Sequence, residues 1–189
     1  MTNKVISPIL KPLIRRYATC HRCLIGCISA TRIHYQGQVK SDILFVGDGP
    51  NDIDVALGEP FSGPPGKLLK SLIEESGLFS YRIAFTNTII CVPSETTGGR
   101  IRTIKKSEIT NCSIRLAEFI SIVKPKVIVS VGSIAERAIA KLKEQNAIQA
   151  KTYHIIHPSA ILRQEDQGDI DMARVLIVLK SIKESFGDE

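Results

Sequence analysis

Apolar runs of strand length alternate with helix-patterned stretches along most of this chain, and that alternation limits the folds open to it. The run Ile43-Leu44-Phe45-Val46 within 41–46 is closed by Gly47, which predicts a buried strand. Further strands are predicted at 83–90, interrupted by Thr86-Asn87, at 127–131, and at 153–156. Between the first two, residues 66–76 put Leu68, Leu69, Leu72 and Ile73 on one helical face, and Gly77 supplies a stop. A second helix is predicted over 107–123, with Ser107 as its N-cap and Pro125 beyond its end. Helices over 134–145 and 169–186 follow. A β-α alternation of this kind predicts an α/β fold in three layers, a parallel sheet with helices on both faces. Residues 1–17 read as a helical or irregular lead-in, 18–34 as a cysteine-rich loop, 47–65 as a polar loop and 92–106 as a basic loop. With 189 residues and no internal repeat, a single domain over 1–189 is expected.

The hydrophobic content of 43% and charged content of 23% match an ordinary globular protein. No apolar run approaches the roughly 20 residues of a membrane helix. The N-terminal stretch lacks a clean apolar core and a small-residue cleavage site, so a mature cytoplasmic protein is expected. The net charge of +6 favours a polyanionic partner without naming one. Arg100, Arg102, Lys105 and Lys106 cluster in a Gly-containing loop, where they suit phosphate contacts. Five cysteines are present: Cys20, Cys23, Cys27, Cys91 and Cys112. Disulfides are disfavoured in a chain without a secretion signal. Cys20-x2-Cys23 has chelate spacing, and a four-cysteine site would hold zinc or an iron–sulfur cluster. Spacing leaves both metals open and does not select four of the five thiols; Cys91 and Cys112 also suit apolar packing.

Several polar residues stand at predicted strand ends, where open α/β sheets gather their chemistry. Asp48 follows the first strand; it can orient water or stabilise a developing cation, or simply cap a turn. Phe61 lies in the Gly- and Pro-rich stretch 58–63 and can stack on a planar ligand or serve as satellite core. Asn87 offers a donor and an acceptor to an amide-like edge, or satisfies local backbone. His157, before Pro158, can donate a hydrogen bond to a developing anion, or cap. Leu162 and Arg163 can wedge into a duplex, or begin an ordinary helix.

In their order these elements resemble the family 4, iron–sulfur, uracil-DNA glycosylases over about residues 20–163. The carrying motifs are Cys20-x2-Cys23, Gly47-Asp48-Gly49-Pro50-Asn51, and Gly58-Glu59-Pro60-Phe61-Ser62-Gly63 running on to Gly66-Lys67-Leu68-Leu69. Thr86-Asn87 with Cys91-x-Pro93, Glu108-Ile109 to Cys112, Pro125-Lys126-Val127-Ile128, and His157 to Arg163 complete them. The resemblance implies a central four-stranded parallel sheet between helices and a structural 4Fe–4S cluster on Cys20, Cys23, Cys91 and Cys112, with Cys27 spare. The implied reaction is hydrolysis of the uracil–deoxyribose bond in DNA by a monomer. Phe61 would stack on the flipped uracil beside Gly47, Gly49 and Asn51, and Asn87 would read its edge. His157 would stabilise charge at O2, and Asp48 would sit at the sugar. Leu162 and Arg163 would fill the vacated stack, with Ser159 and the basic loop on the DNA. Two positions depart from the pattern. Asp48 stands for the family's Glu, its carboxylate about 1.5 Å further back, and misplacement of that order can cost about 10²-fold. Asn51 stands for a Gly, which implies tightened or altered base selection. A glycosylase for a modified pyrimidine, a glycosylase-fold protein that binds uracil-containing or single-stranded DNA without cleaving it, and a zinc-stapled α/β protein unrelated to DNA are the other readings.

Overall fold

The computed structural model describes residues 7–96, 98–164 and 167–187. The first half of the chain forms α1 (Lys11–Ala18), α2 (Leu24–Ile28), β1 (Gln36–Gly37), β2 (Ile43–Gly47), α3 (Asp52–Leu57) and α4 (Pro64–Glu75). A 3₁₀ turn (Leu78–Ser80) then leads to β3 (Ile83–Asn87). The second half forms α5 (Lys106–Val123), β4 (Val127–Val131), α6 (Ser133–Glu144), β5 (Lys151–Ile155), α7 (Pro158–Ile161) and α8 (Gly168–Gly187). The strands lie in the order β1-β3-β2-β4-β5, with β1 antiparallel to β3 and the other neighbours parallel. The chain leaves β2 for β3 on one side, then crosses back to β4 on the other. The direction of winding therefore reverses between β2 and β4, whose carboxyl ends splay open a crevice.

Strand alternation feeds two cores. Leu44, Val46, Ala84 and Ile128 point to one face and pack with α1, α5 and α6. Ile43, Phe45, Phe85, Val127 and Val129 point to the other and pack with α4 and α8. Each fully buried side chain of this size contributes about 1.5–3 kcal/mol of transfer free energy, so these central strands anchor the carboxyl-end loops rigidly. The helices are amphipathic to match: Leu69, Leu72 and Ile73 of α4 are buried as their spacing predicts.

The four expected parallel strands are present, and a fifth, two-residue strand lines the edge of β3. Helix α3 occupies part of the expected 47–65 polar loop. Asn51 starts it, its side-chain oxygen accepting from the N–H groups of Ile53 (2.9 Å) and Asp54 (3.0 Å). Helix α5 begins one residue before the expected Ser107 cap, because the Glu108 carboxylate accepts the Lys105 N–H at 2.8 Å. Strand β3 ends at Asn87 and not at 90, and β5 starts two residues early, at Lys151. Residues 1–6 of the expected lead-in lie outside the described residues. No helix among the described residues is long and apolar enough to cross a membrane.

Candidate active site

Asp48 leaves β2 at the crevice, half-buried, and its Oδ1 accepts the backbone N–H of Ala135 at 2.9 Å. Ala135 lies in the first turn of α6, where backbone donors have no partner within the helix. One carboxylate oxygen is thus fixed by a helix that begins at the end of the neighbouring strand. Burial raises the Asp48 pKa; the Ala135 N–H, His157, Arg137 and His154 oppose that rise. His157 approaches from the end of β5. Burial lowers its pKa, so it is neutral at pH 7, with Asp48 pulling the other way. Its Nδ1 accepts the Ser159 N–H at 3.1 Å and lies 2.7 Å from Ser159 Oγ. An acceptor Nδ1 puts the single ring proton on Nε2, which makes His157 a neutral donor. Gly132 separates the two groups with φ +94°. A Cβ there would lie 3.1 Å from His157 Cβ and 3.2 Å from Asp48 Oδ1. Asp48, His157, Ser159, Arg163 and His154 line one open cleft of about 560 Å³.

Beside it lies a second group. Phe61 adopts φ 57°, a left-handed conformation that is strained for an aromatic residue. Two glycines admit it. A Cβ on Gly66 would meet the Phe61 carbonyl oxygen, and one on Gly47 would lie 2.6 Å from Phe61 Cζ and 2.5 Å from Asn87 Oδ1. The Phe61 ring rests against Phe85, centroids 5.4 Å apart. The turn is tied down by Asp54, 2% exposed, whose carboxylate accepts the N–H groups of Ser62 (2.8 Å) and Asn51 (3.1 Å). Asn87 faces Gly47 in the β2–β3 register; it is 3% exposed, and its Nδ2 has no hydrogen-bond partner among the described residues. A buried amide donor without a partner costs about 1–3 kcal/mol, a deficit a ligand edge can remove.

The remaining sequence-predicted residues fall around these two groups. Gly49 packs closely on Ile89 and Ile104, and Asn51 is engaged as the α3 cap. Ile161 is buried, whereas Leu162 is 53% exposed and Arg163 is exposed. In the basic loop, Arg100 and Lys106 are exposed, while Arg102 is held by Glu108 at 2.6 Å and Lys105 by Glu95 at 2.9 Å. Gly132 and Ala135 were not singled out by sequence, and Asp54, which reads in the polar stretch after β2 as a solvated loop acid, is buried. A glycine closing β4 was the one signal available for Gly132; the other two act through contacts distant in the chain or hidden in a polar stretch.

Cys20, Cys23, Cys91 and Cys112 line a single cavity, walled also by Ile25, Ile89, Ile90 and Arg115. Cys27 is exposed and lies outside it. Burial pushes the Cys91 thiol up to about 12 and raises that of Cys23. Gly26 lets the first loop close: a Cβ there would lie 2.7 Å from the Cys20 carbonyl oxygen. Among the described residues, no three His, Cys, Asp or Glu side chains are grouped as a single metal ion requires.

A family model described as the uracil DNA glycosylase superfamily matches residues 34–180. The type-4 uracil-DNA glycosylase of Sulfurisphaera tokodaii is 30% identical over 138 residues, 72% of this chain and 60% of that protein's length. That of Archaeoglobus fulgidus is 26% identical over 182 residues, 85% of this chain and 89% of that one. The solution NMR structure of a proposed uracil DNA glycosylase from Methanosarcina acetivorans aligns with a TM-score of 0.54 at 13% identity. It covers 80% of this chain and 97% of that one, a likeness of fold.

Proposed function

The chain belongs to the uracil DNA glycosylase superfamily, and from that membership we propose that it hydrolyses the N-glycosidic bond of deoxyuridine in DNA, leaving an abasic site. The observation that carries this reading is the buried, unpartnered Nδ2 of Asn87 beside the strained Phe61 ring. A uracil stacked on Phe61 would offer O4 to Nδ2 and N3–H to Oδ1, removing the deficit. Reaching that position requires the nucleotide to leave the duplex stack, at about a few kcal/mol. As the C1′–N1 bond breaks, its electron pair goes to uracil and charge builds at O2, where the neutral His157 donates Nε2–H. Asp48 faces the cationic sugar carbon and orients water. The water oxygen bonds to C1′, and its proton passes to the carboxylate or to solvent. The Ala135 N–H keeps that carboxylate aimed at a fixed point. The exposed Leu162 and Arg163 fill the vacated stack, and exposed Arg100 and Lys106 meet phosphates. The protein acts as a cytoplasmic monomer.

We also assign a 4Fe–4S cluster to Cys20, Cys23, Cys91 and Cys112. The fit rests on the donor set: four thiols on one largely apolar cavity, with the fifth cysteine outside. Bound there, the cluster supplies a staple between the 18–34 segment and α5 and no step of the reaction.

The test is excision on a 5′-labelled oligonucleotide with one uracil, followed by alkaline cleavage of abasic sites. Strand breaks at the uracil are expected. A folded protein that binds this oligonucleotide and produces no breaks overturns the hydrolase and leaves the second reading, a binder whose shorter Asp48 is committed to α6.

A further inference from the structure

Arg115 is the largest side chain in the core, 1% exposed, and the reaction above does not use it. Its guanidinium donates to Thr86 Oγ1 at 3.1 Å, to the Asn87 carbonyl, and to the Thr88 carbonyl at 3.3 Å. None of these acceptors carries a charge. Its Nε has no hydrogen-bond partner among the described residues. A guanidinium stays protonated in a protein, and a buried charge without a counter-charge is costly. The one carboxylate that shares its cavity, Glu108, is already bound to Arg102 at 2.6 Å. The other polar groups on that cavity include the four thiols Cys20, Cys23, Cys91 and Cys112. Cys112 lies three residues before Arg115 on α5, so both project from one helix face. Cys91 lies four residues after Asn87. The guanidinium therefore stands between the cysteine cavity and the backbone of the base-reading residue.

We propose that Arg115 is the counter-ion of the cofactor held by the four cysteines and the positioning residue that passes its restraint to Asn87. The proposal rests on the cluster assignment above. A thiolate-bound cluster is a net anion. Bound, it balances the guanidinium, and the guanidinium in turn fixes the carbonyl of Asn87 and so the direction of its amide. Without it, the guanidinium charge is uncompensated and the end of β3 loosened.

The test uses the holoprotein with Arg115→Met and Arg115→Lys, reading the midpoint potential of the cofactor, its rate of loss to a chelator, and inhibition by free uracil. Removing a nearby positive charge disfavours the reduced, more negative cofactor. Arg115→Met is therefore expected to shift the potential negative and to lose the cofactor faster. Loss of a charge-assisted bond behind Asn87 weakens uracil inhibition about tenfold. Arg115→Lys keeps the charge and loses the fork, so its potential stays near wild type while uracil inhibition still weakens. Wild-type potential and wild-type chelator loss in a folded Arg115→Met protein overturn the proposal. Where Arg115→Met does not fold, unchanged uracil inhibition in Arg115→Lys does so. A wild-type protein that holds no cluster overturns the cofactor assignment first, and this proposal with it. A clustered wild type indifferent to residue 115 overturns only this proposal.

Discussion

Gly132→Ala tests the active site at the joint between its two polar groups. The added Cβ would lie 3.1 Å from His157 Cβ and Cδ2 and 3.2 Å from Asp48 Oδ1, inside ordinary van der Waals contact. The backbone there has φ +94° and ψ 162°, a region essentially confined to glycine, which costs an L-residue about 1–3 kcal/mol. For a chain of this size that is a fall in melting temperature of about 2–12 °C. Relief of the contact requires His157 or Asp48 to move by some tenths of an ångström. A 1 Å misplacement costs about 10²-fold, so a loss of about 10-fold or more in the excision rate is expected. Gly77→Ala separates strain from crowding: it has φ +77°, and its near contacts are the flexible end of Lys183, far from the cleft. In the left-handed region, with ψ 13°, it should lower the melting temperature by a smaller amount and leave excision unchanged. The assay is single-turnover excision beside a thermal melt for each variant. Wild-type excision by folded Gly132→Ala would refute the claim that His157 and Asp48 work at the observed separation.

Asp54→Asn sets an amide donor among the N–H groups of Ser62 and Asn51. It should destabilise by about 1–3 kcal/mol and, by freeing the Phe61 turn, weaken inhibition by free uracil. Leu162→Ala should slow excision from duplex DNA by about 10-fold and leave single strands unaffected, because only a duplex has a stack to fill; equal losses on both would remove the wedge role. His34, held down to about 3 by burial and then by Arg115 and Arg32, refuses a proton that the unfolded chain takes near pH 6.5. Its contribution to stability is present above about pH 6.5 and is lost as the pH falls towards 3. Urea midpoints measured from pH 7 to 4 should fall for wild type and fall less for His34→Gln.

The central strands were legible because Ile43 to Val46 and Val127 to Val131 are buried on both faces and read as unbroken apolar runs. β5 was shifted because Lys151 and His154 occupy an edge strand, where burial writes no such signal. Helix α3 was hidden because Asp52, Asp54 and the adjoining Gly and Pro resemble a loop, and only the fold buries the Asp54 carboxylate. The site's components could be named from strand ends, but not their connections. Asp48 meets Ala135 across 87 residues, and no local spacing encodes such a contact. Arg102 read as a phosphate ligand because a sequence displays charge and conceals its partner Glu108.

The sheet finishes differently at its two margins. Beyond β3, the strip Gln36–Gly37 occupies backbone groups of Ala84 and Phe85 that would otherwise invite a strand from another molecule. Beyond β5, no strand follows among the described residues, and the exposed Lys151 and His154 and the half-exposed Tyr153 stand guard by charge and bulk. A chain in which Gln36→Pro unseats this strip would keep Asp48, Phe61, Asn87, His157 and the cysteines, and yet bare a β3 edge flanked by aromatic rings. Its first failing would be colloidal, as growing assemblies in concentrated solution, before any defect in chemistry.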